Sequence, residues 1–199
     1  MERLFTTYRK LISGIQHFDG LVALSIRCYL VPIFWMAGHH KLQHFSDTVT
    51  WFGNPDWGLG LPLPWLMASL ATASELLGAV LLALGLATRY ISIPLSITML
   101  VAIFTVHWQN GWQAIADPSA PFANAQVFAS ADKLERAQQL LMQYGNYDWL
   151  TSSGSLVILN NGIEFAATYL IMLLALIVMG GGRYVSVDDW IKRYSRHVT

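Results

Sequence analysis

The sequence predicts an all-α fold: a four-helix transmembrane bundle with both termini in the cytoplasm. Three observations carry this. Four long apolar stretches interrupt the chain, its 199 residues are 54% hydrophobic and only 12% charged, and Lys and Arg are shared unevenly between alternate connections. A helix needs about 20 mostly apolar residues to cross the hydrocarbon, and the stretches run about 21–38, 64–86, 90–106 and 156–179 within one domain, 1–199. With the N-terminus inside, Arg3, Arg9, Lys10, Arg89, Arg183, Lys192, Arg193 and Arg196 are cytoplasmic. The outer connections hold only Lys41, Lys133 and Arg136.

The first span opens without the apolar core and small-residue cleavage site of a signal peptide, so it serves as its own insertion signal. It carries Arg27 and Pro32, which a membrane helix tolerates where neighbouring helices satisfy them. Its Cys28 is the chain's single cysteine, which excludes an internal disulfide and a CxxC redox pair. The outer connection that follows, His39 to Leu63, contains Trp51, Trp57 and Gly53-Asn54-Pro55-Asp56, and reads as an ordered interfacial loop. Spans two and three join through Gly85-Leu86-Ala87-Thr88-Arg89, a turn whose glycine ends a helix and whose arginine suits the inner face.

The second outer segment, His107 to Ser155, is longer and polar. Within it Ser130 is placed to cap a short surface helix ending at Gly145, with Leu134, Ala137, Leu140, Leu141 and Tyr144 on one stripe. After the fourth span, the tail from Val185 is amphipathic. Trp190 is its anchor, and Lys192, Arg193 and Arg196 face anionic lipid. Twelve basic residues balance twelve acidic ones, so no field recommends nucleic acid.

The informative residues are those a bilayer should exclude. Arg27, Glu75 and Glu164 fall within spans, where an unpaired charge costs about 2.5–3.5 kcal/mol on insertion scales. By helical rise they lie about 17, 16 and 12 Å from the outer ends of their spans. Similar depth on three helices predicts a buried charge cluster, with Arg27 bridging one or both acids. Such a cluster either fixes helix register or, through its surplus carboxylate, handles protons. Small residues around Glu75 (Ala68, Ala71, Thr72, Gly78, Ala79) and polar ones around Glu164 (Asn160, Asn161, Thr168) mark these as inward faces.

At the outer ends, His39, His40 and His107, with His44 one turn beyond His40, form a candidate copper or zinc site. Met36, Met67 and Met99 would add soft ligands for Cu(I). The alternative is that these imidazoles sit in the interface bonded to water.

Several strings carry a resemblance. Arg27 to Lys41, Ala73-Ser74-Glu75-Leu76-Leu77-Gly78-Ala79, Leu84-Gly85-Leu86-Ala87-Thr88-Arg89 and the ending Gly180-Gly181-Gly182-Arg183-Tyr184-Val185-Ser186-Val187-Asp188 resemble the DoxX family of small bacterial inner-membrane proteins. More narrowly, Trp51 to Gly58, Val106 to Trp112 and Leu159 to Glu164 resemble the branch associated with maturation of copper-binding, ribosomally made, modified peptides. That resemblance implies an accessory in maturation, export or redox handling of such a peptide, working with the peptide or its tailoring enzymes. A rival is the membrane subunit of a quinone-linked oxidoreductase, with Glu75 or Glu164 accepting protons and Trp35, Trp65 and Trp108 surrounding the ring. A second rival, a small transporter, would need copies of the chain to assemble, since four helices are few for an aqueous path.

Overall fold

A computed structural model describes residues 19–198. Arg3, Arg9 and Lys10, which contribute to the charge asymmetry, lie outside them. The described residues form helices: α1 (Asp19–Gln43), α2 (Phe45–Gly53), α3 (Pro64–Leu84), α4 (Thr88–Val101), α5 (Ala125–Tyr144), α6 (Tyr147–Thr151), α7 (Glu164–Met179) and α8 (Val187–Val198). No β-strand is found among them beyond an isolated antiparallel bridge between Ile115 and Leu159. Two compact units result. One comprises the described residues up to Met99 together with those from Tyr169 onward, and the other is Leu100–Thr168.

Three helical stretches are long and apolar enough to cross a membrane: Gly20–Gln43, Pro64–Leu84 and Thr88–Asn110. What they bury supports the same conclusion. α3 buries Thr72 and Glu75 while Leu77 is 61% exposed, and α4 buries Thr88, Ser92 and Ser96 while Ile97 is 57% exposed. Apolar side chains outward and polar ones inward invert the pattern of a helix that faces water. Three of the buried hydroxyls are satisfied within their own helices, Thr72 donating to the Ala68 carbonyl, Ser92 to Thr88 and Ser96 to Ser92, whereas Thr88 Oγ1 has no partner among the described residues. The apolar core of this first unit is Ala23, Leu30, Phe34, Ala79, Leu82, Leu95, Met99, Leu173 and Leu176.

α1 and α3 pack as an antiparallel pair. α1 runs five residues beyond the expected Gly38, and α2 follows almost directly, with the His44 N–H donating to the His40 carbonyl at 3.0 Å and Thr48 N–H to His44 at 2.9 Å. After α2 the connection is ordered, as expected: Asn54 Oδ1 accepts the N–H groups of Asp56 and Trp57, and Leu59 N–H donates to the Trp51 carbonyl. Gly85 ends α3 with φ 64°, a left-handed conformation open to glycine at no steric cost. Asp188 closes the turn from the other side, accepting Ala87 N–H at 2.7 Å and Thr88 N–H at 3.0 Å, and so caps α4.

In the second unit the chain continues from Val101 as a π-helical stretch, Ala102–His107, and a single 3-10 turn, Trp108–Asn110. The fourth apolar segment differs from expectation. Its helix begins at Glu164, not Leu156, because the backbone of residues 158–164 is bonded to 111–116, with Asn161 in a left-handed conformation at φ 59°. Ala116 N–H donates to Ile158, Asn160 N–H to Ala114, Gly162 N–H to Gln113 and Glu164 N–H to Trp112, at 2.9–3.0 Å. Buried Asn160 joins the same ladder through its Nδ2, 2.8 Å from the Asn110 and Gln113 carbonyls. The surface helix also starts earlier than expected. Asn124 caps α5 by accepting Val127 N–H, and Ser130 lies inside it, bonded to the Gln126 carbonyl, while Gly145 ends it as the sequence indicates.

Candidate functional site

Helix geometry brings together two charged residues that the sequence places at different levels. A Cβ on Gly38 would stand 3.0 Å from Glu75 Cβ, so Gly38 and Glu75 face each other across the α1–α3 contact. Side chains lean toward the N-terminus of their helix. In an antiparallel pair, Lys41 therefore leans back toward Gly38, while Glu75 leans toward Lys41. They meet: Lys41 Nζ lies 2.8 Å from Glu75 Oε1 and 2.7 Å from Oε2. The Glu75 side chain is 3% exposed and that of Lys41 22%.

Beside this ion pair is a cavity of about 460 Å³, lined by Ala37, His40, Lys41, His44, Asp47 and Trp51 among others. These residues recur at three- and four-residue spacing, one stripe carried across the nearly continuous α1–α2 junction. The His40 and His44 rings are 4.6 Å apart between centroids, and His44 Nδ1 is 3.1 Å from the His40 carbonyl. Two imidazoles, an ammonium, a carboxylate and an indole thus border one pocket, with Ala37 among them. The arrangement can hold a flat polar ring, donate hydrogen bonds to it and exchange protons.

The expected bridge from Arg27 to the acids is not what Arg27 makes. Its guanidinium is buried, with Nη1 donating to the Leu82 carbonyl at 3.0 Å and Nη2 to the Val185 carbonyl at 2.7 Å. Through Leu82 it satisfies a carbonyl at the C-terminal end of α3, where a cation is favoured. The depth estimate fails because the outer ends of the helices are not level. Glu75 stands opposite Gly38, about 16 Å along α1 from Arg27 by helical rise. Glu164 is not in the middle of a span either. It is half-buried at the first position of α7, accepting Ala114 N–H at 2.9 Å, a placement that the helix dipole stabilises.

The proposed trio of His39, His40 and His107 is likewise not assembled as a ligand set. Among the described residues no group of three or more His, Cys, Asp or Glu is arranged to hold a metal ion. Adjacent positions on a helix point about 100° apart. His39 accordingly stacks on Trp35, whereas His40 turns to His44. His107 Nδ1 lies 2.8 Å from the Asn161 carbonyl. The three tryptophans are exposed, each beside a different ring: Trp35 by His39, Trp65 edge-on to Phe45 and Trp108 against Phe104. Sequence reasoning missed the Lys41–Glu75 pair and Asp47. The signal was a lysine ending an apolar span within reach of a buried glutamate on the neighbouring helix.

Residues 22–108 match the model of the DoxX family, a segment that holds Arg27, the cavity-lining residues and Glu75. The chain is 38% identical over 83 residues to the protein named "Putative oxidoreductase CatD" of Bacillus subtilis (strain 168), covering 42% of this chain and 58% of that protein. The chain thus spans somewhat over half the length of the curated relative it matches. No solved structure matches it significantly. Over its first helical hairpin and the helix that follows, the chain is thus similar to the DoxX family.

Proposed function

We propose that the chain is a DoxX-family protein of the bacterial cytoplasmic membrane, crossing it four times with both ends inside, and that it is the membrane subunit of a quinone-linked oxidoreductase. The observation that carries this is the buried Lys41–Glu75 pair bordering a cavity of about 460 Å³ lined by His40, His44 and Trp51. The similarity to a protein named as an oxidoreductase agrees with it. α7 has 16 residues and spans about 24 Å by rise, enough to serve as the fourth crossing in a locally thinned bilayer.

The residues fit a quinone head. Cavities of this size hold small ligands, Trp51 offers a flat apolar wall, and Lys41 and His40 supply donors suited to ring oxygens. A quinone supplies the chemistry of accepting two electrons with two protons. The chain's part is to bind and orient the ring through Lys41 and His40 and to relay protons through the His40–His44 pair. Glu75 keeps Lys41 in place from behind. With one cysteine and no dithiol of its own, the chain takes the electrons from a partner subunit.

The test is binding of a short-chain naphthoquinone to the full chain in detergent, followed by quenching of tryptophan fluorescence. Lys41→Met and His40→Ala should each weaken binding about tenfold or more, and His39→Ala should not. Unchanged binding in both cavity variants overturns the proposal.

A second reading keeps copper. His40 and His44, with ring centroids 4.6 Å apart, offer two imidazoles to a copper ion whose remaining ligands come from a modified peptide. Retention of a copper-loaded peptide by the wild type and its loss in His44→Ala would favour this reading over the quinone.

A further inference from the structure

The far end of the same helical unit holds a second cavity, which the redox reading does not use. It measures about 440 Å³ and is bounded by the Gly180–Gly182 turn, Arg89, Arg183 and Lys192. Two carboxylates, Asp188 and Asp189, also line it, but both are committed. Asp188 accepts the Ala87 and Thr88 N–H groups, and Asp189 Oδ2 accepts Tyr184 N–H at 3.0 Å and Arg193 Nε at 2.7 Å. The cations are held differently. Arg89 spends Nη1 on the Ile177 carbonyl at 3.0 Å and extends beside Gly180, with Nε 3.1 Å from where a Cβ would sit. Gly180 and Gly182 have φ 80° and 92°, so the turn passes the cations without side chains in the way. Among the described residues, no hydrogen bond engages the Gly181 or Gly182 N–H groups.

The setting is amphipathic. Tyr90 and Met179, on the rim, are 77% and 38% exposed, at the ends of two apolar helices. α8 leaves the turn with Trp190, Ile191 and Tyr194 exposed along one stripe and Lys192, Arg193 and Arg196 on the other side. Such a helix lies in the plane of a membrane interface. The geometry points to a phosphate-binding pocket at this interface, in which Arg89, Lys192 and the glycine turn hold the phosphodiester of an anionic lipid or a free phosphate. Arginine and backbone N–H groups are the natural partners of a phosphate oxygen, and the exposed Tyr90 and Met179 offer the apolar surface that an acyl chain would cover.

The full chain in maltoside detergent is titrated separately with dihexanoyl phosphatidylglycerol, dihexanoyl phosphatidylcholine and inorganic phosphate, and its thermal midpoint is read. The lipid source predicts saturable stabilisation by phosphatidylglycerol at about tenfold lower concentration than by either other ligand. Inorganic phosphate acting at the same concentration identifies free phosphate as the occupant. In either case Arg89→Gln and Lys192→Gln should each weaken the effect about tenfold, while Arg196→Gln, of equal charge change but outside the cavity, leaves it intact. Should Arg89→Gln fail to fold for want of its Ile177 bond, Lys192→Gln alone decides. No saturable shift with any ligand, or an Arg196→Gln loss equal to that of Lys192→Gln, overturns the pocket.

Discussion

Removing both members of the Lys41–Glu75 pair should cost less than the two single removals added together. Breaking a buried ion pair from one side costs about 3–5 kcal/mol because the partner is left charged and unpaired. The two sides are unequal here. In Glu75→Gln the ammonium of Lys41, already 22% exposed, can swing on its long stem toward water, which limits the loss to about 2 kcal/mol. In Lys41→Met the stranded carboxylate is 3% exposed with no such escape, and the loss should reach about 3 kcal/mol or more. The double variant strands nothing and should lose about 2 kcal/mol, giving a coupling of about 3 kcal/mol. That is a difference of roughly a hundredfold in the folded ratio. Unfolding of the full chain in mixed detergent micelles, followed by far-ultraviolet circular dichroism, measures all four corners of the cycle. Additive single losses, or a Glu75→Gln variant worse than Lys41→Met, would refute the reasoning.

Reporters fused after Thr199 or in the turn at Arg89 should read cytoplasmic and one at Asp56 extracytoplasmic, as the basic residues dictate, and an outside signal at Thr199 contradicts the topology. Asp188→Ala should lower stability by about 1–2 kcal/mol through loss of the α4 cap, seen as a lower thermal midpoint, whereas Asp188→Asn, which keeps one acceptor, should lose less. The Tyr184 N–H, with Arg193 assisting, holds the Asp189 carboxyl below the usual carboxylate range. A lowered folded value means that its contribution is complete above the unfolded value, about 3.9, and is lost as pH falls through the folded value. The protection factor of the Tyr184 amide should therefore fall only on strong acidification, and one that does not change from neutral to strongly acid pH would contradict this bond.

Three of the expected spans were legible because length and hydropathy are local properties, and Pro64–Leu84 and Thr88 onward lie close to where apolar content places them. Pairing was not legible, because depth counted from span ends assumes that the ends are level. The α1–α2 continuation offsets them, moving Glu75 from Arg27 to Lys41. His40 was identified and His44 was noted beside it, but the trio with His39 ignored the 100° between adjacent helical positions. Glu164 was misplaced for a different reason. Leu156 to Ile163 is apolar enough to extend a helix, yet the backbone N–H groups of Asn160 to Ile163 are taken by the carbonyls of Gly111, Gln113 and Ala114, far earlier in the chain, a long-range preference no local window contains.

The ladder between 111–116 and 158–164 has a consequence for the stretch it encloses. Because Ala116 N–H meets the Ile158 carbonyl in an antiparallel register, the chain leaves and re-enters at neighbouring points, about 5 Å apart as in any such pair. Everything from Asp117 to Val157, α5 and α6 included, is an appendix hung on a closed neck. A two-residue Asn-Gly turn is long enough to close that neck. Gln113 would have to be changed alongside, since its buried amide bonds the Asp117 and Pro121 carbonyls inside the appendix. Asn124 Nδ2 bonds the Asn110 carbonyl and Phe122 packs on Trp112, so the start of the appendix is fastened to the neck, and changes of length belong beyond Val127, which is buried.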